Sequence, residues 1–362
     1  MQSYPVASID LSALKHNLSR IKELAPTSRV MSVVKANAYG HGYAQVVQAL
    51  IDSDAFAVAR LSEGIRLREL GIKQPIVILE GVMSSDALQL TADYSLSLVF
   101  HNLTQIELVN SIQLNTPLKF CWLMVETGMH RLGLAVDKIG EAMQLLSASS
   151  NLTDKPGLMS HFASAELTND PRNQKQLELL KQCADKYNTP ISMANSAAII
   201  SISDSHGDWI RPGLMLYGVS PFDNRTASDL GLKPVMQLKS VVIAVQELQT
   251  GDQVGYGGDW TASQYTRVGI VSIGYGDGYN RQLSDVGSVI IGHKSVPVLG
   301  RVSMDMIAID LTDISGSSLG DEVCLWGNDM LAVEDVAQQA GTIPYELLCQ
   351  ISERVVREYH HG

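Results

Sequence analysis

The chain has 362 residues, 45% of them hydrophobic and 18% charged, with a formal net charge of −11. At roughly 150 residues per domain this is material for two folded units, and the composition excludes a disordered or solvating chain. An acidic balance without runs of like charge leaves no basic face for nucleic acid or an anionic membrane.

The amino terminus, Met1–Leu14, has neither a basic segment nor an apolar one, which argues against secretion. No stretch is apolar for long enough to span a bilayer. The four cysteines, Cys121, Cys183, Cys324 and Cys349, are spaced neither as a metal site nor as a disulfide framework. A cytoplasmic, reduced, metal-free globular protein is expected.

Short β-branched runs recur at Val30–Val34, Ala55–Ala59, Ile76–Leu79, Leu96–Val99, Leu118–Val125, Leu158–Ser160, Ile191–Ala194 and Trp209–Ile210. Segments with helical spacing separate most of them. Ser62 reads as the cap of a helix that runs to Leu70 and stops at Gly71. In Gln176–Tyr187 the residues Leu177, Leu180, Ala184 and Tyr187 share one face. Eight strands each followed by a helix suggest a closed parallel (β/α)8 barrel over residues 1–231, with an open doubly wound sheet as the rival.

Beyond Gly231 the rhythm changes. Ser240–Leu248, Thr266–Ile273, Val286–Gly292, Val296–Leu299, Met306–Leu311 and Glu322–Trp326 read as strands, several of them separated by turn signals. Two short helices follow, the second opened by Pro344. Residues 232–362 therefore read as a mostly β C-terminal domain.

In such a barrel the working residues follow the strands. Here they are Lys35, Arg60, Glu80, His101, Glu126 with Arg131, His161, Asn195-Ser196 and Arg211. A lysine closing an apolar run is poised to be a nucleophile toward a carbonyl, because burial disfavours its ammonium form. Its bland alternative is a lysine that snorkels from the barrel mouth. After strands seven and eight, where these barrels often bind phosphate, stand Asn195-Ser196 and Arg211-Pro-Gly213-Leu214. Ser196 supplies a hydroxyl, and Gly213 allows close approach of a backbone N–H to an anion. Alone these are a helix cap and a turn. A lysine Schiff base together with a phosphate cup is what pyridoxal 5'-phosphate requires.

With these residues in hand, the chain resembles the alanine racemases over essentially its whole length. The motifs are Val-Val-Lys35-Ala-Asn-Ala-Tyr39-Gly-His-Gly, Thr127-Gly-Met-His-Arg131-Leu-Gly, Ser160-His161-Phe-Ala, Asn195-Ser196, Trp209-Ile-Arg211-Pro-Gly213, Gly255-Tyr256-Gly-Gly, Gly274-Tyr275-Gly-Asp-Gly-Tyr and Gly300-Arg-Val-Ser-Met304-Asp. The resemblance implies that Lys35 carries pyridoxal phosphate covalently. It implies that Tyr39, Ser196, Gly213, Leu214 and Tyr345 hold the phosphate, with His161 beside the ring and Arg211 at its nitrogen. Arg131 and the Met304 N–H would take the substrate carboxylate, and Tyr275 would line the entry. Lys35 and Tyr256 would be the two bases of a racemisation between L- and D-alanine, a source of D-alanine for peptidoglycan. The family is a homodimer in which Tyr256, Tyr275 and Met304 reach the partner's barrel.

Two bases on opposite faces of a planar carbanion invert a centre more simply than one that must swing. A tyrosine ionising near ~10 needs help to act near neutral pH, so a cationic neighbour of Tyr256 is expected. A guanidinium at the ring nitrogen donates without giving up its proton, which makes a weaker electron sink and limits side reactions.

The chain also departs from the pattern. Many members carry a carbamylated lysine seven residues before the arginine, and here that position is Met124, with Glu126 in place of aspartate. Arg131 is then expected to be a buried guanidinium braced by a small anion, water or a rearranged carboxylate. Rival readings are a racemase of shifted preference such as serine, a pyridoxal-phosphate decarboxylase on a similar plan, and a cofactor-carrying barrel of the homeostasis kind. The β domain bearing Tyr256 argues against the last.

Overall fold

The computed structural model describes residues 4–361. Contacts divide it into two units, Lys15–Ala38 with Tyr43–Leu216, and residues 1–14 with Tyr39–Gly42 and Tyr217–Gly362. The first strand, β1 (Val6–Asp10), belongs to the second of these.

The first unit is a closed barrel of eight parallel strands: β2 (Arg29–Val33), β3 (Ala55–Val58), β4 (Ile76–Ile78), β5 (Ser97–Phe100), β6 (Trp122–Met124), β7 (Gly157–Met159), β8 (Ile191–Ser192) and β9 (Trp209–Ile210). The seam closes where Arg29 pairs with Trp209 and Val30 with Ile210. Closure decides between the two expected architectures in favour of the barrel. These strands are apolar almost throughout because parallel strands are covered on both faces. At Gly157 a Cβ would come within 2.6 Å of the Trp122 ring, so glycine is what lets β6 and β7 lie side by side there.

Two of the helices begin earlier than expected. The helix read from Gln176 runs Pro171–Tyr187, with Asp170 accepting the Arg172 N–H at 2.9 Å and proline in the first turn. That cap-and-proline pair was legible. The other runs Leu61–Glu69, with Arg60 rather than Ser62 at the cap position. The Arg60 N–H goes to a carboxylate oxygen of Glu63 at 3.0 Å, so the capping group lies inside the helix rather than before it.

The second unit is built on an eight-stranded sheet. After β10 (Met236–Leu248) come the two-stranded ribbon β11 (Gln253–Val254) and β12 (Trp260–Thr261), then β13 (Thr266–Val271), β14 (Ser288–Ile291), β15 (Lys294–Leu299), β16 (Ile307–Asp310), β17 (Glu322–Trp326) and β18 (Val356–His360). The sheet order is β13-β16-β15-β14-β17-β10-β1-β18. Strand β1 lies antiparallel to β10, with Ala7 opposite Leu238, and parallel to β18, with Val6 opposite Val356. The expected boundary at residue 231 is thus discontinuous here. The amino-terminal strand and residues 217–231 sit with the sheet, because β1 finds its partners only at the far end of the chain, which local patterning cannot reveal. The helices Val333–Gln339 and Pro344–Gln350 complete the unit.

Candidate active site

Lys35 follows the carboxyl end of β2 and is exposed. Directly after it Ala36, Asn37 and Ala38 adopt φ of 53°, 54° and 54°, a left-handed turn made without glycine. L-residues pay roughly 1–2 kcal/mol each for that conformation. Strain of this kind gathers where a fold must aim a working group.

At the ends of β8 and β9 a cluster of donors forms. Asn195 caps the short helix Ser196–Ser201 by accepting the Ala198 N–H at 3.0 Å. The bland reading of Asn195-Ser196 therefore holds for Asn195, which leaves Ser196 for other work. Its Oγ accepts the N–H groups of Gly213 at 3.0 Å and Met215 at 3.2 Å, and the hydroxyl proton remains to be donated. The Gly213 N–H is thereby spent within the protein. Among the described residues no acceptor meets the Leu214 N–H, which gives two donors on one small arc.

Arg211 is buried. Its Nη1 donates to Ser192 Oγ at 2.7 Å and its Nη2 to the Ser160 carbonyl at 2.5 Å, with His161 Nδ1 at 3.5 Å from the same nitrogen. Among the described residues no carboxylate pairs with it and its Nε–H has no acceptor. Burial pulls the guanidinium down to about 10, still protonated at neutral pH. His161 is held down to about 3, first by burial and then by the charges of Arg211, Arg131 and Lys35. The imidazole is therefore neutral. Three cations from three separate strand ends act on this one ring.

Arg131 differs from expectation. It is exposed, on an irregular loop that follows β6, and among the described residues no acidic group pairs with it. The neck of that loop is fixed by Glu126 N–H to the Leu134 carbonyl at 2.9 Å and Leu134 N–H to the Met124 carbonyl at 2.9 Å. The Glu126 carboxylate is taken by the Gly128 N–H and lies 3.8 Å from His130 Nδ1. The rearranged carboxylate offered above as a brace is thus turned away from Arg131. A hydrated guanidinium needs no internal counter-charge, so the penalty argued for a buried one does not arise in this chain. Arg60, Glu80 and His101 engage one another: Arg60 Nε lies 3.9 Å from Glu80 Oε2, and His101 Nε2 lies 3.0 Å from the Glu80 carbonyl.

In the second unit Tyr39 is buried, stacked on Tyr217 at 4.7 Å between centroids and tilted against Tyr345 at 5.9 Å. Burial pushes its phenol upward, so it acts only as a neutral hydroxyl. Tyr256 opens a glycine-rich turn and is 71% exposed; Tyr275, Met304 and Tyr345 are exposed as well. Met304 lies between β15 and β16, outside any strand. Its N–H has no acceptor among the described residues, whereas its carbonyl takes the Gly276 N–H at 2.8 Å. The cation beside the Tyr256 turn is Arg301, bound bidentately to Asp259, with Nη2 3.2 Å from where a Gly257 Cβ would stand.

Sequence reasoning missed the polar residues beneath these groups. Ser160 Oγ meets Thr127 Oγ1 at 2.7 Å, and Gln176 Nε2 donates to Thr127 Oγ1 at 3.3 Å and to the His161 carbonyl at 3.0 Å. Ser192 closes β8 with its hydroxyl on the Trp209 carbonyl at 3.0 Å. The only signal was serine at buried strand positions.

Two family models match the chain, the alanine racemase N-terminal domain over residues 9–221 and the C-terminal domain over residues 235–359. An alanine racemase of Nitrosococcus oceani is 45% identical over 98% of this chain and 99% of its own, and one of Legionella pneumophila is 46% identical over 96% and 97%. A solved biosynthetic alanine racemase from Pseudomonas aeruginosa superposes with a TM-score of 0.95 at 41% identity, covering 99% of this chain and all of that one. An alanine racemase from Bartonella henselae, described with covalently bound pyridoxal phosphate, gives 0.90 at 29% identity over 99% and 100%. Matched from end to end by fold, motif and sequence, the chain belongs to the alanine racemase family of enzymes.

Proposed function

We propose that this enzyme interconverts L- and D-alanine in the cytoplasm with pyridoxal phosphate held on Lys35, and supplies D-alanine for peptidoglycan. The observation that carries the reading is the set of groups at the barrel strand ends: buried Arg211, 3.5 Å from His161 Nδ1, and Ser196 Oγ on the Gly213 and Met215 N–H groups. The residues present suit the group. A phosphate would accept hydrogen bonds from the Ser196 hydroxyl and the Leu214 N–H, with Gly213 close by. A neutral His161 suits a position beside the ring. The spare Nε–H of Arg211 suits an uncharged acceptor such as a ring nitrogen.

When bound, the cofactor supplies an electron sink that lowers the pKa of the substrate Cα–H. The rest is the work of side chains. Arg131 and the N–H of the partner subunit's Met304 hold the substrate carboxylate and so fix which face of Cα each base meets. Lys35 Nζ moves the proton on one face, and Tyr256 Oη of the partner subunit moves it on the other. Tyr275 of the partner subunit lines the entry. An exposed phenol on a glycine turn suits a residue that completes a second subunit's site, and the homodimer is part of this proposal.

The test is optical. Pure L-alanine should lose rotation and its α-proton should exchange with solvent deuterium, with L-serine and L-lysine alongside as competitors. Retained rotation with alanine and loss with serine would move the reading to a serine racemase. Release of carbon dioxide would replace it with a decarboxylase.

A further inference from the structure

The strained turn after Lys35 is held by one carboxylate that the catalytic reading leaves unused. Glu63 Oε1 accepts the Ala36 N–H at 2.7 Å and the Tyr43 hydroxyl at 2.8 Å. Its Oε2 accepts the Ala59 N–H at 2.8 Å and the Arg60 N–H at 3.0 Å. Tyr43 extends the reach of the carboxylate: its Oη accepts the Asn37 N–H at 3.0 Å, and its own N–H returns to Asn37 Oδ1 at 3.1 Å.

We propose that Glu63 is the positioning residue for Lys35, one oxygen fastened to the left-handed turn that follows the lysine and the other to the end of β3 and the start of the next helix. Consecutive L-residues in that conformation persist only where their surroundings over-determine them. Four donors on two oxygens do so, because only an ionised carboxylate can accept on both sides. Glu63 also caps the helix Leu61–Glu69, and a residue that did nothing more would need Oε2 alone. The Tyr43 phenol is pushed upward by burial and by Glu63, so it stays a donor across the working range.

The inference rests on the reading of Lys35 as the covalent anchor, and Glu63→Gln tests it. The amide has one accepting oxygen. The two N–H groups at the cap cannot turn away, whereas the Tyr43 hydroxyl can, so the NH2 of the new side chain should face Ala36. Amide hydrogen exchange over residues 36–38 should quicken about tenfold or more, as expected for a lost hydrogen bond to a charged acceptor. Exchange within the helix Leu61–Glu69 should stay unchanged. In the loaded enzyme kcat should fall about tenfold while KM for alanine holds, because the amine is mis-aimed but the substrate contacts are kept. Tyr43→Phe should act in the same direction and more weakly, and it decides the matter should Glu63→Gln fail to fold.

Unchanged exchange over 36–38, or equal loosening of turn and helix, would overturn the proposal and leave Glu63 a helix cap. Exchange is read in protein with and without cofactor. Failure of borohydride to fix an adduct on Lys35 of the unmodified enzyme would sink the anchor reading while the exchange pattern still decided the role of Glu63.

Discussion

The two side chains assigned to proton transfer stand in opposite surroundings. Lys35 follows a barrel strand, on a turn pinned by a network of six hydrogen bonds through Glu63, Tyr43 and Asn37, and near it lie a buried guanidinium and a neutral imidazole. Tyr256 stands on a glycine turn, most of its surface in water, beside a guanidinium already claimed by Asp259. One half of the chemistry is thus pre-organised within the chain. The other half stands exposed, as the proposed sharing of the site between subunits requires.

The first way to break this contrast is at the organised half. Lys35→Ala should bring racemisation below detection and end borohydride fixation of the cofactor, since both the anchor and one base are lost. A fixable adduct persisting in this variant would move the anchor elsewhere.

The exposed half gives the next largest effect. Tyr256→Phe should slow α-proton exchange from one enantiomer by about 10²–10⁴-fold, the usual span for a general acid or base, and from the other far less. Equal loss in both directions would remove Tyr256 from the pair. Mixing Lys35→Ala with Tyr256→Phe subunits sharpens the comparison. A hybrid dimer carries one site with both bases intact, so some activity should return only if the site is shared between chains.

How much of this was legible divides along the same line. The barrel strands alternate with helices within a few dozen residues, so local periodicity reported all eight of them. Strand β1 pairs with β10 and β18 across most of the chain, and no local pattern encodes that. In the site, residues with reactive heads such as Lys35, Arg211 and His161 stood out against apolar strands. Their supports did not: Ser192 at the end of β8, Ser160 just past β7 and Thr127 in the loop after β6 are ordinary polar residues until the guanidinium held by Ser192 and Ser160 is seen. Arg131 was misjudged because the sequence gives its residue type and spacing, whereas its exposure depends on how the loop leaves β6.

A smaller effect should come from His161. In the folded chain it stays neutral down to about 3, whereas in the unfolded chain it takes a proton near 6.5. Below about 6.5 the unfolded state therefore binds more protons, and stability drains as pH falls toward 3, with no change from this group above 6.5. With allowance for its partial exposure, the cofactor-free protein should lose about 1 kcal/mol between pH 6.5 and 5 through His161. Chemical denaturation of His161→Gln beside the unmodified protein checks this. Parallel pH profiles for the two would mean that burial and the charges of Arg211, Arg131 and Lys35 do not hold the imidazole neutral.

The smallest effect concerns the position where this chain departs from its family. Met124 is buried at the end of β6, and its carbonyl holds the neck of the loop that carries Arg131. Met124→Lys puts an amine at the position where the family resemblance leads to the expectation of a carbamate, and its consequence depends on what carbon dioxide does to it. As a carbamate it should brace Arg131 and lower KM for alanine by about two- to fivefold, within the worth of one partly exposed ion pair. As an ammonium it would repel Arg131 and raise KM instead. Assays with and without bicarbonate separate the two states, because only the carbamate depends on it. A KM that falls with bicarbonate in the variant and not in the unmodified enzyme would show that the loop can still accept the brace it lacks. A KM insensitive to bicarbonate would mean that the loop has settled into a geometry, with Glu126 on Gly128, in which Arg131 holds the carboxylate without help.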